Sequence, residues 1–489
     1  VVVLPSMCNP SCKPETDKLD NKDFRRHAHD MVDWMASYLE TVETRPVRAQ
    51  VQPGDIAAQL PTAAPDAGED MTDIMADFEN IVVPGITNWQ HPKFFAYFPS
   101  NSSPPSVLAE MLVTTMGAQC MLWQTSPAAT EMETRMMEWL AKMLGLGDGF
   151  EGVIQDSASS ATLVAILVGR EKATDWAANE QGLKAVQPLA VYASAEAHSS
   201  IEKDVMVAGL GRQSLRKIAV DENLALVPAE LEAAIEADIA AGIKPAVVVA
   251  CLGTTGPGAI DPLRAIGEIC RRHDIYLHVD AAWAGTALLL EEQRAMIDGI
   301  EHADSFVFNP HKWMFTNFDC SAHFIRDSES LIKTLSILPA YLQSRETGSV
   351  IDYRDWSVPL GRRFRALKLW FVIRSMGVDG MKAKLRDQIK WAENLEATIV
   401  AEPEVDLLVP RSLTLLTFRW TPEGMTDEAE LDAFNEKLVH AVNDDGRLYL
   451  TQTHCMGHYA IRFVIGQTNT TQDDVVSAWA DLKEIAGTI

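Results

Sequence analysis

The chain has 489 residues, 47% of them hydrophobic, and a formal net charge of -26. This length and apolar content suffice for a large core with one or two smaller units. The negative charge argues against nucleic acid and anionic membranes as partners, and no apolar run reaches the roughly 18 to 20 residues of a membrane helix. The seven cysteines are odd in number and scattered, which favours reduced thiols and a cytoplasmic enzyme over a disulfide framework.

The first predicted elements are helical. Residues 21–42 carry apolar side chains at helical spacing, which predicts an amphipathic helix. A proline-rich connection follows, and a second helix is predicted at about 71–82. These two helices have too little apolar surface to form a core of their own.

Between about residues 153 and 325, short apolar runs alternate with helical patterns. Strands are predicted at 189–194, 246–252, 275–279 and 305–308. One intervening helix is predicted to begin at Asp261-Pro262, an N-cap followed by proline in the first turn. This alternation predicts a mainly parallel α/β sheet, whose ligands bind beyond the carboxyl ends of the strands.

The pattern changes again in the C-terminal part of the chain. Alternating residues predict strands at 413–418, 447–450 and 460–464, interleaved with helices at 427–443 and 471–485. We therefore expect a small α+β domain at this end.

Polar side chains follow two neighbouring strands of the predicted sheet. Asp280 comes directly after one strand, and Asn309 and Lys312 follow the next. Pyridoxal phosphate (PLP) chemistry needs such a pair, because the lysine amine forms a Schiff base and the aspartate keeps the pyridine nitrogen protonated. Either motif alone is equally well explained as a surface lysine or a helix-capping aspartate. Together, at the spacing of one short crossover, they predict PLP binding.

A cluster of small residues precedes a helix that is predicted to run through Leu163 and Leu167. Ser157, Ala158 and Ser159 would expose backbone N–H groups at the start of that helix, which is a common phosphate-binding arrangement. Serine-rich helix starts are also frequent as simple N-caps, so this pattern needs the context of the rest of the site.

Four motifs resemble those of the group II PLP-dependent amino-acid decarboxylases. They are AHSS at 197–200, HVDAAWAG at 278–285, NPHKW at 309–313 and PLGRRF at 359–364. The resemblance is to the aromatic-L-amino-acid decarboxylases (DOPA, tryptophan and tyrosine decarboxylases), and it runs from about Asp23 to the C-terminus. It implies the type I fold of PLP-dependent transferases, with three parts: an N-terminal helical dimer-packing segment (1–103), a large PLP-binding α/β domain (104–367) and a small α+β domain (368–489).

The resemblance also implies the cofactor site. The cofactor-binding residues would be Ser157, Ala158, Ser159, His198, Thr255, Asp280, Asn309, His311 and Lys312. Among these, His198 would stack on the pyridine ring and His311 would lie at the phosphate. Ordinary turn chemistry explains Thr255 equally well. No metal is expected.

The catalytic residues implied by the family are Lys312, Asp280, His198 and Tyr341. Tyr341 would return a proton to the substrate carbon after CO2 loss, and it stands in a polar, glycine-containing run typical of a loop that closes over a site. Relatives with phenylalanine at this position tend to release an aldehyde. A tyrosine with a purely structural role in a loop is the alternative for this residue.

A further set of residues matches the family's substrate pocket. They are Trp89, Tyr97, Phe98, Pro99, Ser100, Gln119, Met121 and Gly361. Gly361 leaves room for an indole, so tryptophan, 5-hydroxytryptophan, DOPA, tyrosine and phenylalanine all stay open as substrates. Gln119 and Met121 depart from the aliphatic residue and phenylalanine that animal relatives contribute from the neighbouring subunit.

The predicted function is decarboxylation of an aromatic L-amino acid to the corresponding amine and CO2. The family implies a homodimer with the active site at the interface, without nucleic-acid or membrane partners. The alternatives are an aromatic aldehyde synthase, a decarboxylase of a non-aromatic amino acid and a catalytically inactive homologue. The last is disfavoured because all four predicted catalytic residues are present.

Overall fold

The computed structural model describes residues 21–337 and 348–489. The chain divides into two compact units, Val1–His91 and Pro92–Ile489. The described part of the first unit contains helix α1 at Asn21–Thr41 and helix α2 at Met71–Asp77, which continues as a π-helical turn at Phe78–Val82. Both predicted helices are therefore confirmed. None of the helices in the described ranges is long and apolar enough to cross a bilayer.

The second unit begins with a large sheet and its helices. In chain order the elements are α3 (Pro104–Met116), α4 (Pro127–Leu144), β1 (Glu151–Gln155), α5 (Ala158–Ala173), α6 (Ala177–Gln181), β2 (Leu189–Ser194), α7 (Ser199–Val207), β3 (Leu215–Ile218), α8 (Pro228–Ala240), β4 (Lys244–Cys251), α9 (Leu263–His273), β5 (Tyr276–Asp280), β6 (Ser305–Phe308), β7 (Ser321–Ile325) and α10 (Ser328–Leu335).

The seven strands are ordered β1-β7-β6-β5-β4-β2-β3. The neighbours from β3 to β6 are parallel, and β7 is antiparallel to both β6 and β1. Alternate residues of a strand enter different cores, as Val248 and Val247 of β4 do, so the sheet is covered on both faces. The predicted, mainly parallel α/β sheet is confirmed.

Two features of this sheet differ from the prediction. The apolar pattern does not predict β3 or β7, because β3 contains two basic residues and β7 contains His323. The predicted N-cap of α9 is wrong, since the helix begins at Leu263 with Pro262 at the cap position. The Asp261 carboxylate instead accepts the N–H groups of Leu226 and Cys251, at 2.9 and 2.7 Å.

The C-terminal part has a second, smaller sheet. Its elements are α11 (Arg365–Val400), β8 (Val405–Leu407), β9 (Leu415–Trp420), α12 (Glu428–Asp445), β10 (Thr451–Cys455), β11 (His458–Val464) and α13 (Gln472–Ala486). The strand order is β10-β11-β9-β8, with every pair antiparallel. Helix α11 is interrupted at Gly377, whose φ of 68° is left-handed.

The expected α+β character of this region is confirmed, but the strand predicted at 447–450 is wrong. The Asn443 side chain accepts the N–H of Leu450 and donates to the Leu450 carbonyl. These two backbone groups therefore do not bond to a neighbouring strand. Strand β10 therefore begins at Thr451. The domain boundaries at residues 103 and 367 stay a prediction.

Candidate active site

A cavity of roughly 190 Å³ opens at the carboxyl edge of the large sheet. It lies among the ends of β4 and β5, the turn after β6 and the first residues of α5 and α7. The lining residues are Ser157, Ala158, Ser159, His198, Ser200, Cys251, Gly253, Thr254, Thr255, Asp280, Ala282, Trp283, Asn309, His311 and Lys312. All of the predicted cofactor-binding residues are thus brought together at one place.

The Lys312 amine and the Asp280 carboxylate come from neighbouring strands. Asp280 ends β5, and its Oδ1 accepts the N–H of Ala282 at 3.0 Å. Burial lowers the pKa of Lys312; the negative charge of Asp280 opposes this shift and the positive charge of Arg462 reinforces it. Within the described ranges, no ion pair joins Lys312 to a carboxylate. The amine therefore gives up its proton more readily than an exposed lysine would.

His198 occupies the N-cap of α7 and faces the same cavity. Its Nδ1 accepts the backbone N–H of Ser200 at 3.2 Å and lies 2.8 Å from the Ser200 hydroxyl. Burial lowers the pKa of His198, with Asp280 opposing and Lys312 reinforcing the shift. The ring is therefore neutral at pH 7, and because Nδ1 is an acceptor, its proton belongs on Nε2.

Another part of the lining presents N–H and amide groups. The Ser157 side chain caps α5 by accepting the N–H of Ser160 at 3.2 Å, and the first-turn N–H groups of this helix have no partner within the helix. Asn309 is held by the Ser321 hydroxyl, which donates to its Oδ1 at 2.5 Å. Burial lowers the pKa of His311 to about 3, and its Nδ1 accepts the N–H of Cys320 at 3.0 Å. This end suits a phosphate.

The residues therefore fit PLP. A helix N-terminus offers donors for an anionic group, a buried carboxylate ends the strand beside it, and a buried lysine with a lowered pKa lines the same cavity. This donor set matches the phosphate, the ring nitrogen and the aldehyde of the cofactor.

Arg462 of β11 is a component of the site that sequence reasoning missed. The guanidinium is buried and donates to the carbonyls of Gly256 and Tyr97 and to the Thr451 hydroxyl, at 3.0, 3.1 and 3.0 Å. Burial lowers its pKa to about 10, and no carboxylate in the described ranges forms an ion pair with it. The available signal was a single arginine within an otherwise apolar strand pattern.

The predicted aromatic segment at 97–100 lies beside the cavity but does not line it. The Phe98 ring stacks on Trp283 with centroids 5.1 Å apart and meets Trp313 edge-on at 5.8 Å. Because Trp283 is a lining residue, Phe98 forms the layer behind it. Tyr97 is exposed, with its hydroxyl 3.2 Å from that of Tyr449, while Pro99 is buried and Ser100 is half-buried.

Gln119, Met121 and Gly361 are not among the residues that line the cavity of their own chain. Gln119 Oε1 accepts the N–H of Arg362 at 2.6 Å, and a Cβ added at Gly361 would lie 3.3 Å from Gln119 Nε2. The Met121 carbonyl accepts the N–H of Arg354 at 3.0 Å.

Two predicted residues are not placed at the site by this structure. Trp89 belongs to the first unit, and Tyr341 lies outside the described residues.

The chain is similar to known PLP-dependent decarboxylases in sequence and in structure. Residues 53–421 match the family model described as the pyridoxal-dependent decarboxylase conserved domain. The chain is 40% identical to tyrosine decarboxylase 2 of Narcissus pseudonarcissus, over 96% of this chain and 95% of that protein. It is also 40% identical to phenylacetaldehyde synthase of Arabidopsis thaliana, with 96% of each chain covered. The crystal structure of Oryza sativa TDC with PLP and tryptamine superposes with a TM-score of 0.93 at 34% identity, covering 96% of this chain and 99% of that one.

The fold and the site therefore define a PLP-dependent carboxy-lyase. The chain belongs to the pyridoxal-dependent decarboxylase family. The predicted family, fold class and cofactor are confirmed.

Proposed function

We propose that this enzyme decarboxylates an aromatic L-amino acid to the corresponding amine and CO2. The observation that carries the proposal is the convergence of Lys312, Asp280 and His198 on one cavity in a chain of this family. Relatives named as tyrosine, tryptophan and aromatic-L-amino-acid decarboxylases, all 38% to 40% identical over 96% of this chain, support an aromatic substrate.

The bound cofactor supplies an aldehyde for covalent attachment and a ring that withdraws electrons from the substrate. Backbone N–H groups at the start of α5, the hydroxyls of Ser157 and Ser159, and the Asn309 amide would hold its phosphate. Asp280 would hold a proton on its ring nitrogen, and neutral His198 would cover its face. The residues that would bind the cofactor therefore lie at the ends of strands and at the starts of helices.

Lys312 supplies the reactive amine. Burial favours its neutral form, and only the neutral amine is a nucleophile. The Asp280 charge is fixed in a partly dry site, where it acts more strongly than it would in water. Arg462 adds positive charge near Lys312 and would draw the substrate carboxylate toward the cavity.

Substrate and product are settled by one assay. The purified enzyme would be given tyrosine, DOPA, phenylalanine, tryptophan, 5-hydroxytryptophan, histidine and glutamate, with CO2, amine, aldehyde and peroxide measured for each. We expect CO2 and amine in equal amounts from an aromatic substrate. Formation of aldehyde and peroxide would instead identify an aldehyde synthase. Turnover of glutamate alone would identify a decarboxylase of a non-aromatic amino acid. No product from any amino acid would support an inactive homologue.

We infer that Tyr341 is the group that returns a proton to the substrate carbon, which rests on its sequence position. Tyr341→Phe should leave CO2 release largely intact but lower amine output by about 10²- to 10⁴-fold, the usual contribution of a general acid. Aldehyde, ammonia and peroxide should appear from the same substrate because oxygen then competes with protonation. Amine formation at the wild-type rate without aldehyde would remove Tyr341 from this role.

We also propose a homodimer in which Gln119, Met121 and Gly361 of one chain complete the cavity of its partner. Two observations support this arrangement. The three residues are not part of the cavity lining of their own chain, and α3 exposes an apolar stripe in which Leu108 and Met116 are 56% and 55% exposed. Exposed apolar stripes of this kind are typical of protein interfaces.

Subunit mixing tests this dimer. Lys312→Ala and Gly361→Trp chains, each inactive alone, should regain part of the activity when unfolded and refolded together, because one mixed site then contains both native residues. Light scattering should give twice the chain mass. A monomeric active enzyme, or no recovery in proven mixed dimers, would refute the shared site.

A cytoplasmic location is proposed on chemical grounds. Cys120, Cys251, Cys270, Cys320 and Cys455 are buried free thiols. Free thiols are typical of reducing compartments. Recovery of the native protein in a secreted or organelle fraction of its source cells would contradict this proposal.

A further inference from the structure

Asn101 joins three segments of the chain next to the cavity. Its side chain is almost fully buried, and its Nδ2 donates to the carbonyl of Lys312 at 2.6 Å and to that of Gly466 at 2.8 Å. Its Oδ1 accepts the N–H of Thr468 at 2.6 Å. Its own backbone N–H donates to the carbonyl of His311 at 3.2 Å. One amide thus binds the Lys312 turn to the segment that follows β11.

The aromatic segment that ends at Asn101 is held at its other end as well. Arg462 Nη2 donates to the Tyr97 carbonyl at 3.1 Å. Phe98 is packed against Trp283 and Trp313, and a Cβ added at Gly466 would lie 2.7 Å from its ring. Residues 97–101 therefore have little room to move relative to Lys312.

Asn101 also completes the hydrogen bonding of the Lys312 backbone. The Lys312 N–H donates to the carbonyl of Asn309 at 2.9 Å, and its carbonyl is bound by Asn101. With both peptide groups occupied, the Cα of Lys312 is fixed, and so is the point from which its amine reaches into the cavity. A buried carbonyl left without a donor is costly, so removal of the Asn101 amide would force this turn to rearrange.

We propose that Asn101 is a positioning residue that fixes the Lys312 amine relative to the cavity and to the aromatic segment. It sets the rate of cofactor capture by Lys312 as well as the rate of turnover. This inference rests on the proposed role of Lys312 and adds a residue to that machinery.

The chain contains a matched control. Asn435 of α12 is fully buried, accepts the N–H of Trp420 at 2.7 Å, and donates to the carbonyls of Trp420 and Leu431, both at 2.8 Å. It therefore makes the same three kinds of hydrogen bond as Asn101 but lies against the smaller sheet. Substitution of either asparagine removes equivalent bonds, while only Asn101 contacts Lys312.

The test compares Asn101→Ala, Asn101→Asp and Asn435→Ala in the full-length protein. The first readout is the rate at which the apo-enzyme, mixed with PLP, develops the visible absorbance of the lysine-bound cofactor, with borohydride trapping and peptide mapping to locate it on Lys312. The second is kcat and KM for the best aromatic substrate, and the third is Tm. The aspartate variant keeps an oxygen that accepts the N–H of Thr468, but it loses the amide N–H groups that donate to Lys312 and Gly466. It replaces the alanine variant in the test if that variant fails to fold.

We expect both Asn101 variants to slow PLP capture and kcat on the order of 10²-fold, as small displacements of reacting groups do, with KM changed much less. Asn435→Ala should lower Tm and leave both rates near those of the wild type. Wild-type rates per folded molecule in the Asn101 variants, or equal slowing in Asn435→Ala, would overturn the inference. A wild-type enzyme that captures PLP but makes no amine from any aromatic substrate would instead refute the proposed function, and the capture rates would still test Asn101.

Discussion

Lys312 and Lys368 of the second unit are both withdrawn from solvent, and burial lowers the pKa of each. The Lys368 side chain on α11 is fully buried, with its Nζ 3.1 Å from a Glu110 carboxylate oxygen and 4.0 Å from one of Asp319. Asp319 in turn binds Arg365 at 2.8 Å. Lys312 lines the cavity instead, and in the described ranges it forms no such pair.

The difference shows that a lowered lysine pKa does not by itself mark an active site. The charge of Lys368 is compensated by carboxylates that are themselves paired with arginines, and none of these residues lines the cavity. Lys312 is influenced by Asp280 across an open cavity, where a ligand can enter. Function is therefore located where a perturbed group and an accessible cavity coincide.

The largest expected effect separates the two lysines directly. Lys312→Ala should lower amine formation on the order of 10⁴-fold or more and abolish the visible absorbance of the lysine-bound cofactor, because the nucleophile is gone. Lys368→Met is the matched control and should keep both the absorbance and the turnover. Near-normal multiple turnover in Lys312→Ala would contradict the assignment, whatever its absorbance.

A smaller loss is expected from the carboxylate that faces Lys312. Asp280→Asn should retain some PLP but lower kcat by about 10²- to 10³-fold, as removal of one preorganised charge or donor does, since an amide cannot hold the ring nitrogen protonated. Asp238→Asn is the control, because Asp238 is a buried carboxylate paired with Arg216 at 2.8 Å and lies outside the cavity lining. An unchanged kcat in Asp280→Asn would show that the Asp280 carboxylate does not act by keeping the ring nitrogen protonated.

The same comparison explains what the sequence predicts well. Strands β2 and β6 are continuous apolar runs, and their predicted bounds match the structure residue for residue. Because parallel strands end at one edge, the side chains at the end of β5 and after β6 had to converge there. The lysine and aspartate of the cavity were therefore predictable from local pattern and topology.

Residues whose partners are distant in sequence were not predictable in this way. Asn101 is 211 positions from Lys312, and Arg462 is 365 positions from Tyr97. Gln119 was predicted to belong to the substrate pocket, and its Oε1 accepts the N–H of Arg362, 243 positions away. These pairings depend on how segments that are distant in sequence pack together, and no periodicity encodes that packing.

The stability of the Lys368 cluster should depend on pH in a way that Lys368→Met abolishes. Burial lowers the pKa of Lys368 to about 8 from 10.5, so between these values the unfolded chain binds more protons than the native one. The free energy of unfolding of the wild type, relative to Lys368→Met, should therefore rise with pH across this window by up to about 3 kcal/mol. Denaturant unfolding of both proteins at the two ends of this pH window measures the difference in their free energies of unfolding. If that difference does not change with pH, Lys368 stays charged beside Glu110.

The smallest and most specific effect is a shift in the pH dependence of PLP capture. The neutral amine is the reactive form, so the capture rate should rise as pH passes through the pKa of Lys312. Asp280 raises that pKa and Arg462 lowers it, so Asp280→Asn should move the midpoint to lower pH and Arg462→Gln to higher pH. Lys368→Met should leave the midpoint where it is. Shifts of the first two variants in the same direction would assign the midpoint to a group other than Lys312. Opposite shifts would show that neighbouring charges, rather than burial alone, set the reactivity of this lysine.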